Sequence, residues 1–364
     1  MAIDDATAAL LEQMAASGEP PLSESTPAQA RDLRAARRGE APPGPAVAAV
    51  RDTRLPVSGG YVPVRVLTPD LPGGGVDGAG GVNGAGSGTP RGVIVWYHGG
   101  GWVLGGLDDA EPLGRTLAQR TGCVVVMVDY RLAPEYRFPT AVDDSWAALE
   151  WVAARIPELT GGTGSGAGTG PADEKASANG TVSTEETLPL IVGGDSAGGN
   201  LAAVMALRAR AEGGPALAAQ VLVYPVTDCD LNTTSYRDPE NALLLTRESM
   251  IWFWDHYAPV TDDRVHPDAS PLRATVLDGL PPSVVLTAEH DVLRDEGELY
   301  ATRLLKSNVP VRHARIAGQT HGFFTMVGIL PGAGTGMDFA VAGLAEFVPA
   351  LGPVIRETAG RGGS

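Results

Sequence analysis

Apolar residues in this chain follow two rhythms. One is helical, near the start; the other is a run of short continuous stretches separated by helical segments, through the middle and end. From Asp4 to Ala16, Leu10, Leu11 and Met14 recur at helical spacing, with Asp4 or Asp5 as cap and Gly18 as stop. Ser25-Thr26-Pro27 opens a second helix through Arg38, proline being suited to a first turn. Two short helices ahead of any strand read as a cover. Val47 to Leu55 and Tyr61 to Leu67 then read as strands around Ser58-Gly59-Gly60. Val62, Val64 and Val66 alternate cleanly in the second, so the pair predicts a hairpin at a sheet edge.

Further on, the predicted order is strand Val93 to Tyr97, helix near Leu113 to Arg120, strand Val124 to Val128 and helix Val142 to Arg155. Strand Leu190 to Val192, helix Ala197 to Ala211 and strand Ala219 to Tyr224 follow. The last part is strand Ser283 to Ala288, helix Glu296 to Lys306, strand Val311 to Ile316 and a helix about Met337 to Leu351. Continuous Val/Ile/Leu strands between helices indicate an α/β class, a mostly parallel sheet covered on both faces. Ligands bind such sheets at the carboxyl ends of the strands.

Asp230 to Pro259 interrupts the alternation. Thr246 caps a helix holding Met250, Ile251, Trp252, Phe253, Trp254 and Tyr257, and its place between two core strands favours a lid over plain core. The chain thus divides into N-terminal helices contributing to a cap (1–45), a first part of the core (46–229), the cap excursion (230–260), a second part of the core (261–355) and a flexible tail (356–364). Two glycine-rich, polar stretches, 69–90 and 160–187, bury too little apolar surface to offset their ordering entropy and read as mobile surface insertions. Neither offers a phosphate-binding glycine pattern placed between a strand and a helix.

Composition narrows the partners. A length of 364 residues with 43% hydrophobic content supports a substantial core. The net charge of −16 argues against a nucleic-acid partner, and Lys175 and Lys306 are the only lysines. Cys123 and Cys229 lack metal or disulfide-framework spacing. No apolar run approaches a membrane span, and the acidic start Met1-Ala2-Ile3-Asp4-Asp5 lacks the basic patch of a signal peptide, so a cytoplasmic location is expected.

The chemistry centres on Leu190 to Asn200. An apolar strand enters Gly194-Asp195-Ser196-Ala197-Gly198, and an alanine-rich helix leaves it, the strand–turn–helix context in which a serine becomes an exposed nucleophile. With 48 glycines in the chain, such a motif also arises by chance, so the remaining parts decide. Serine is a weak nucleophile at neutral pH; a neutral imidazole must take its proton, and a carboxylate must hold that imidazole in the right tautomer. Asp291 lies just past the strand from Ser283, and His321 stands in the loop after the last strand. Of the six histidines, His313 sits within a strand, His256 on the lid helix, His266 in a loop before Pro267, and His290 ahead of the acid, positions better suited to structure. Among acids, Asp295 and Glu296 open the next helix, where Asp295 suits a cap. His98-Gly99-Gly100-Gly101-Trp102 follows a core strand, and residues without side chains there free backbone N–H groups to face a developing oxyanion, together with the amide of Ala197.

These stretches, with Asp129-Tyr130-Arg131-Leu132-Ala133-Pro134-Glu135, Asp291 to Gly297 and His321-Gly322-Phe323, resemble the hormone-sensitive-lipase family of α/β hydrolases, in its bacterial GDSAG esterase branch. The resemblance runs from about Arg51 to Leu351 and implies an α/β-hydrolase fold with a helical cap. It implies a serine carboxylesterase that cleaves short- to medium-chain esters through an acyl-enzyme. Ser196 is then the nucleophile, His321 the base and Asp291 its orienting acid, with Gly100, Gly101 and Ala197 as the oxyanion hole. Trp102, Trp252 and Phe323 are expected to edge the substrate pocket. No metal or organic cofactor is implied, the partner is a small-molecule ester, and homodimerisation stays open. Val292 departs from the proline usual after the acid. Two alternatives remain: an acetylhydrolase or amidase acting on an acetylated natural product, and a non-catalytic binding protein of the same fold, which the presence of His321 opposes.

Overall fold

The computed structural model describes residues 2–38, 42–72, 88–161 and 188–352. Most of the two glycine-rich insertions expected at 69–90 and 160–187, and all of the tail expected at 356–364, lie outside the described residues.

Among the described residues the apolar runs form one eight-stranded sheet. Its strands are β1 (Ala49–Val57), β2 (Gly60–Thr68), β3 (Val93–Tyr97), β4 (Val124–Val128), β5 (Leu190–Asp195), β6 (Ala219–Val223), β7 (Ser283–His290) and β8 (Val311–Thr320), in the spatial order β1-β2-β4-β3-β5-β6-β7-β8. The β1–β2 hairpin is antiparallel, β2 pairs antiparallel with β4, and all later pairings are parallel. Every residue of β3, β4 and β6 is buried, which is why their sequences are unbroken apolar runs without the alternation of β2.

Helices cover both faces. Ahead of the sheet stand α1 (Asp5–Ala16) and α2 (Pro27–Ala36); α3 (Leu107–Thr121), α4 (Thr140–Ala153), α5 (Ile156–Leu159) and α6 (Ala197–Glu212) follow among the strands. Then come α7 (Thr234–Arg237), α8 (Arg247–Tyr257), α9 (Thr261–Arg264), α10 (Arg294–Lys306) and α11 (Pro331–Phe347). Alternate side chains of each strand feed two cores. Val93, Val95 and Tyr97 join Leu201 and Met205 of α6 and the aromatics of α8 on one face, whereas Ile94 and Trp96 join Leu113 and Leu117 of α3 and Met337 and Leu344 of α11 on the other.

Several boundaries differ from the periodic reading. Helix α3 begins at Leu107, ahead of the predicted start near Leu113, and carries Pro112 in its interior. Helix α11 starts at Pro331, ahead of the predicted Met337, and ends at Phe347, before the predicted Leu351. Strand β8 continues to Thr320, past a left-handed Gly318, and so ends directly against His321.

The leading helices are fastened at named points. Asp4 caps α1 by accepting from the N–H groups of Ala6 and Thr7, and its own N–H donates to Gly318 O at 3.2 Å beside the end of β8. Arg31 of α2 donates to Val103 O and Ala133 O and pairs with Glu135. Trp252 of α8 donates its indole N–H to Ser25 O at 3.0 Å, joining the excursion to the N-terminal segment.

Candidate active site

Strand β5 ends on Asp195, and Ser196 turns the chain with φ 56° and ψ −119°, a region that side-chain-bearing residues rarely enter, before α6 starts at Ala197. The turn is held on both sides: Ser196 N–H donates to Val223 O at 2.9 Å, and Val226 N–H donates to Ser196 O at 3.2 Å. Only glycine fits at 198, since a Cβ there would stand 1.9 Å from Tyr97 O.

Asp291 directly follows β7 and is wholly buried. Its Oδ1 accepts Leu293 N–H at 2.9 Å, and its Oδ2 lies 2.7 Å from His321 Nδ1. His321 Nε2 stands 3.0 Å from Ser196 Oγ. An ionised carboxylate can only accept, so Nδ1 carries the hydrogen and Nε2 presents its lone pair to the serine hydroxyl. Three side chains from the ends of three different strands are thereby set in line for a proton to pass from oxygen to nitrogen.

The glycine turn after β3 lies alongside. Gly100 and Gly101 adopt φ 118° and 58°, and Leu104 N–H closes the turn on Gly100 O at 2.8 Å. Ala197 opens α6, so its N–H has no acceptor within the helix. Among the described residues, the N–H groups of Gly100 and Gly101 donate to no backbone acceptor. A Cβ on Gly101 would lie 2.1 Å from the Phe253 ring, so α8 rests directly on this turn. The adjacent aromatics of α8 signalled a lid; which ring reaches the turn could not be read from their order.

Of the three aromatics expected to edge a pocket, two are wholly buried. Trp102 is wholly buried at φ 61°, stacked on Tyr257 at 4.2 Å and tilted against Trp254 at 5.0 Å. Phe323 is equally buried but on the opposite face of the sheet, packed against Tyr224 and Phe324. Trp252 is tied to Ser25 and braces Phe253 edge-on. Trp102 and Phe323 therefore offer no surface to a ligand. The left-handed turns at Trp102 and Gly322 carry these side chains into the interior, where a sequence pattern suggests a rim.

Asp295 does not cap α10. It lies inside the first turn, and its Oδ2 accepts Ser235 N–H of α7 at 2.7 Å, while Asp291 accepts the N–H of Leu293 ahead of the helix. Asp295 thus ties the excursion to the segment bearing the acid.

Glu296, unassigned by the sequence, is wholly buried and receives Thr227 N–H at 2.7 Å and Asp228 N–H at 3.2 Å. Burial pushes its carboxyl well above the ordinary range, against the two N–H bonds, with Asp228 and Asp291 adding to the rise. A raised folded-state value means that the native chain binds this proton more tightly than the unfolded chain. The contribution is complete below the unfolded value of about 4.3 and is lost as pH rises toward the folded one. Glu296→Gln keeps an acceptor for both N–H groups without an ionisable proton, so its melting temperature should gain on the native protein between pH 5 and 8. A constant difference across that range would refute this role.

A surface cleft of about 760 Å³, lined by Arg31, Arg38, Arg65, Asp129 and Glu135 among others, contains none of the aligned residues. Its guanidinium groups are occupied by acids, Arg31 by Glu135, Arg38 by Asp109 and Arg65 by Asp52. Among the described residues, no three His, Cys, Asp or Glu side chains converge as a metal-binding group.

Comparison with known proteins finds a family and relatives for the chain. Residues 94–325 match a family described as having the alpha/beta hydrolase fold. Carboxylesterase NlhH of Mycobacterium tuberculosis is 38% identical over 255 residues, covering 69% of this chain and 72% of the relative. Carboxylic ester hydrolase LipN of the same organism is 36% identical over 311 residues, 84% of this chain and 72% of the relative. A hyperthermophilic esterase from the archaeon Pyrobaculum calidifontis superposes with a TM-score of 0.76 at 32% identity, covering 96% of this chain and all of the other.

Proposed function

Because the chain belongs to the hormone-sensitive-lipase family of α/β hydrolases, we propose that Ser196, His321 and Asp291 carry out its ester hydrolysis. It is a carboxylic-ester hydrolase. What most supports the assignment of residues is the unbroken path from Asp291 through His321 to Ser196, at 2.7 and 3.0 Å.

In this reading Ser196 Oγ attacks the ester carbonyl carbon while His321 Nε2 takes the hydroxyl proton. The resulting imidazolium keeps its Nδ1–H on Asp291, whose charge stabilises it. The carbonyl oxygen, now an oxyanion, accepts N–H groups of Gly100, Gly101 and Ala197. As the tetrahedral species collapses, His321 returns the proton to the leaving oxygen and the alcohol departs. Water then attacks the acyl-enzyme with His321 again as base, releasing the carboxylic acid and restoring Ser196.

The cap we propose comprises residues 1–45 and 230–260, and the joint of Trp252 to Ser25 supports treating them as one cover. The cover brings Phe253 onto the oxyanion turn, which favours short and medium acyl chains over long ones. No helix among the described residues is long and apolar enough to cross a membrane. We also propose a cytoplasmic location, which cell fractionation tests.

The deciding experiment follows kcat/KM for p-nitrophenyl esters of increasing acyl length from pH 5 to 9, with and without EDTA. Activity should be highest at short to medium chains and fall on the acid side, as expected for a base that must be neutral to take a proton. It should hold on the alkaline side and be unaffected by chelator. Loss in EDTA restored by a divalent metal would contradict the serine mechanism, and a preference for long acyl chains would contradict the role given to the cap.

A further inference from the structure

We propose that Tyr224 is a positioning residue for His321: its ring holds the imidazole in line with Ser196 and favours the cation formed while the serine proton is in transit. The inference rests on the roles given above to Ser196, His321 and Asp291.

Tyr224 follows the last residue of β6 and takes φ 33°, a conformation sparsely populated by residues with side chains. Its N–H donates to Leu286 O of β7 at 2.6 Å, and the carbonyl just before it, Val223 O, accepts Ser196 N–H. Its backbone is therefore held between the nucleophile turn and the strand that leads to the acid. The ring is buried, with its centroid 4.6 Å from that of His321 at 54°, and it meets Phe323 edge-on at 5.6 Å. Its hydroxyl points toward Thr325, whose Oγ1 donates to Gly322 O in the turn just after His321.

The two hydrogen bonds of His321 lie in the plane of its ring, one at each nitrogen. They leave rocking about the Nδ1–Nε2 line unrestrained, and a ring packed against the imidazole removes that motion. The negative face of an aromatic ring also attracts a cation within about 6 Å. In the working cycle imidazolium forms when His321 takes the proton of Ser196, so this attraction acts on the transition state more than on the enzyme with a neutral base. The other charged or titratable groups facing His321 are Asp291 at Nδ1 and Asp195 at the end of β5. Burial favours the protonated form of Asp195 and keeps the Tyr224 phenol neutral. Both acids stay in place when Tyr224 is changed, so a difference between variants isolates the ring.

The test compares Tyr224→Phe and Tyr224→Leu with the native enzyme, following kcat and KM for p-nitrophenyl butyrate across pH 5 to 9. Phenylalanine keeps the ring and should leave the acid limb in place, with kcat within about twofold. Leucine should lower kcat roughly 3- to 30-fold at unchanged KM and move the acid limb to lower pH, because the imidazolium loses a stabilising face. An acid limb that stays put in Tyr224→Leu, or a phenylalanine variant that behaves like leucine, would overturn the inference. Tyr224→Met, whose flexible side chain fills similar space, repeats the comparison if leucine impairs folding. Labelling by a serine-directed phosphonate, run in parallel, separates the two readings: native enzyme that resists labelling sinks the assignment of Ser196, whereas labelled enzyme with an unmoved acid limb sinks only the role of Tyr224.

Discussion

Ser196→Ala is expected to lower the turnover of p-nitrophenyl butyrate by at least about 10⁴-fold and to abolish labelling by a serine-directed phosphonate. The effect is large because the nucleophile and base work as a unit: without Oγ, His321 has no proton to take, and only the oxyanion donors remain. The fold should survive. Alanine has the same backbone preferences as serine at φ 56°, both main-chain hydrogen bonds of residue 196 persist, and the lost side-chain bond is the one to His321. Melting curves should nearly superimpose while the burst of p-nitrophenol disappears. Native-like turnover in this variant would remove Ser196 from the mechanism.

Asp291→Asn should cost about 10³- to 10⁴-fold in kcat. The asparagine amide can donate to Nδ1, which moves the imidazole hydrogen to Nε2, where it faces Ser196 and blocks proton acceptance. Asp295→Asn should behave differently. Its carboxylate pairs with the neighbouring Arg294 and accepts Ser235 N–H, a contact that fastens α7 to α10 outside the path of the proton. That change should lower the melting temperature by a few degrees and leave kcat within about threefold. Parallel measurements of kcat and thermal unfolding on the two variants decide the choice of acid; a reversed pattern would transfer the orienting role to Asp295.

The strands were legible because parallel strands buried on both faces must be apolar at every position, as Val124 to Val128 are. The order of serine, acid and histidine could be read because each stands shortly after an apolar run, although β5, β7 and β8 all extend further than those runs, up to the residue before each. Capping was less legible. An aspartate at the start of a helix signals an N-terminus, yet Asp295 spends its oxygen on α7, a partner brought near only by the fold. Aromatics were the hardest to place. Trp102 and Phe323 adjoin the glycine turn and His321 in sequence, but left-handed backbone at Trp102 and at Gly322 turns them into separate cores. Phe253 and Tyr224 do approach the aligned residues, through contacts between elements distant along the chain that no local spacing records.

The fit of Phe253 against Gly101 limits how this enzyme can be re-engineered. Exchanging residues 230–260 for the corresponding stretch of another esterase invites itself as a way to change substrate range, since the excursion leaves and rejoins the core at neighbouring strands. Yet a ring that occupies the space of an absent Cβ makes the graft and the recipient loop two halves of one mould. A chimera that brings a smaller residue to position 253 would leave a hollow over the loop, and one that brings a bulkier residue would push Gly101 out of place. Successful hybrids should therefore be those in which the loop beginning at His98 and the donor excursion are transplanted together.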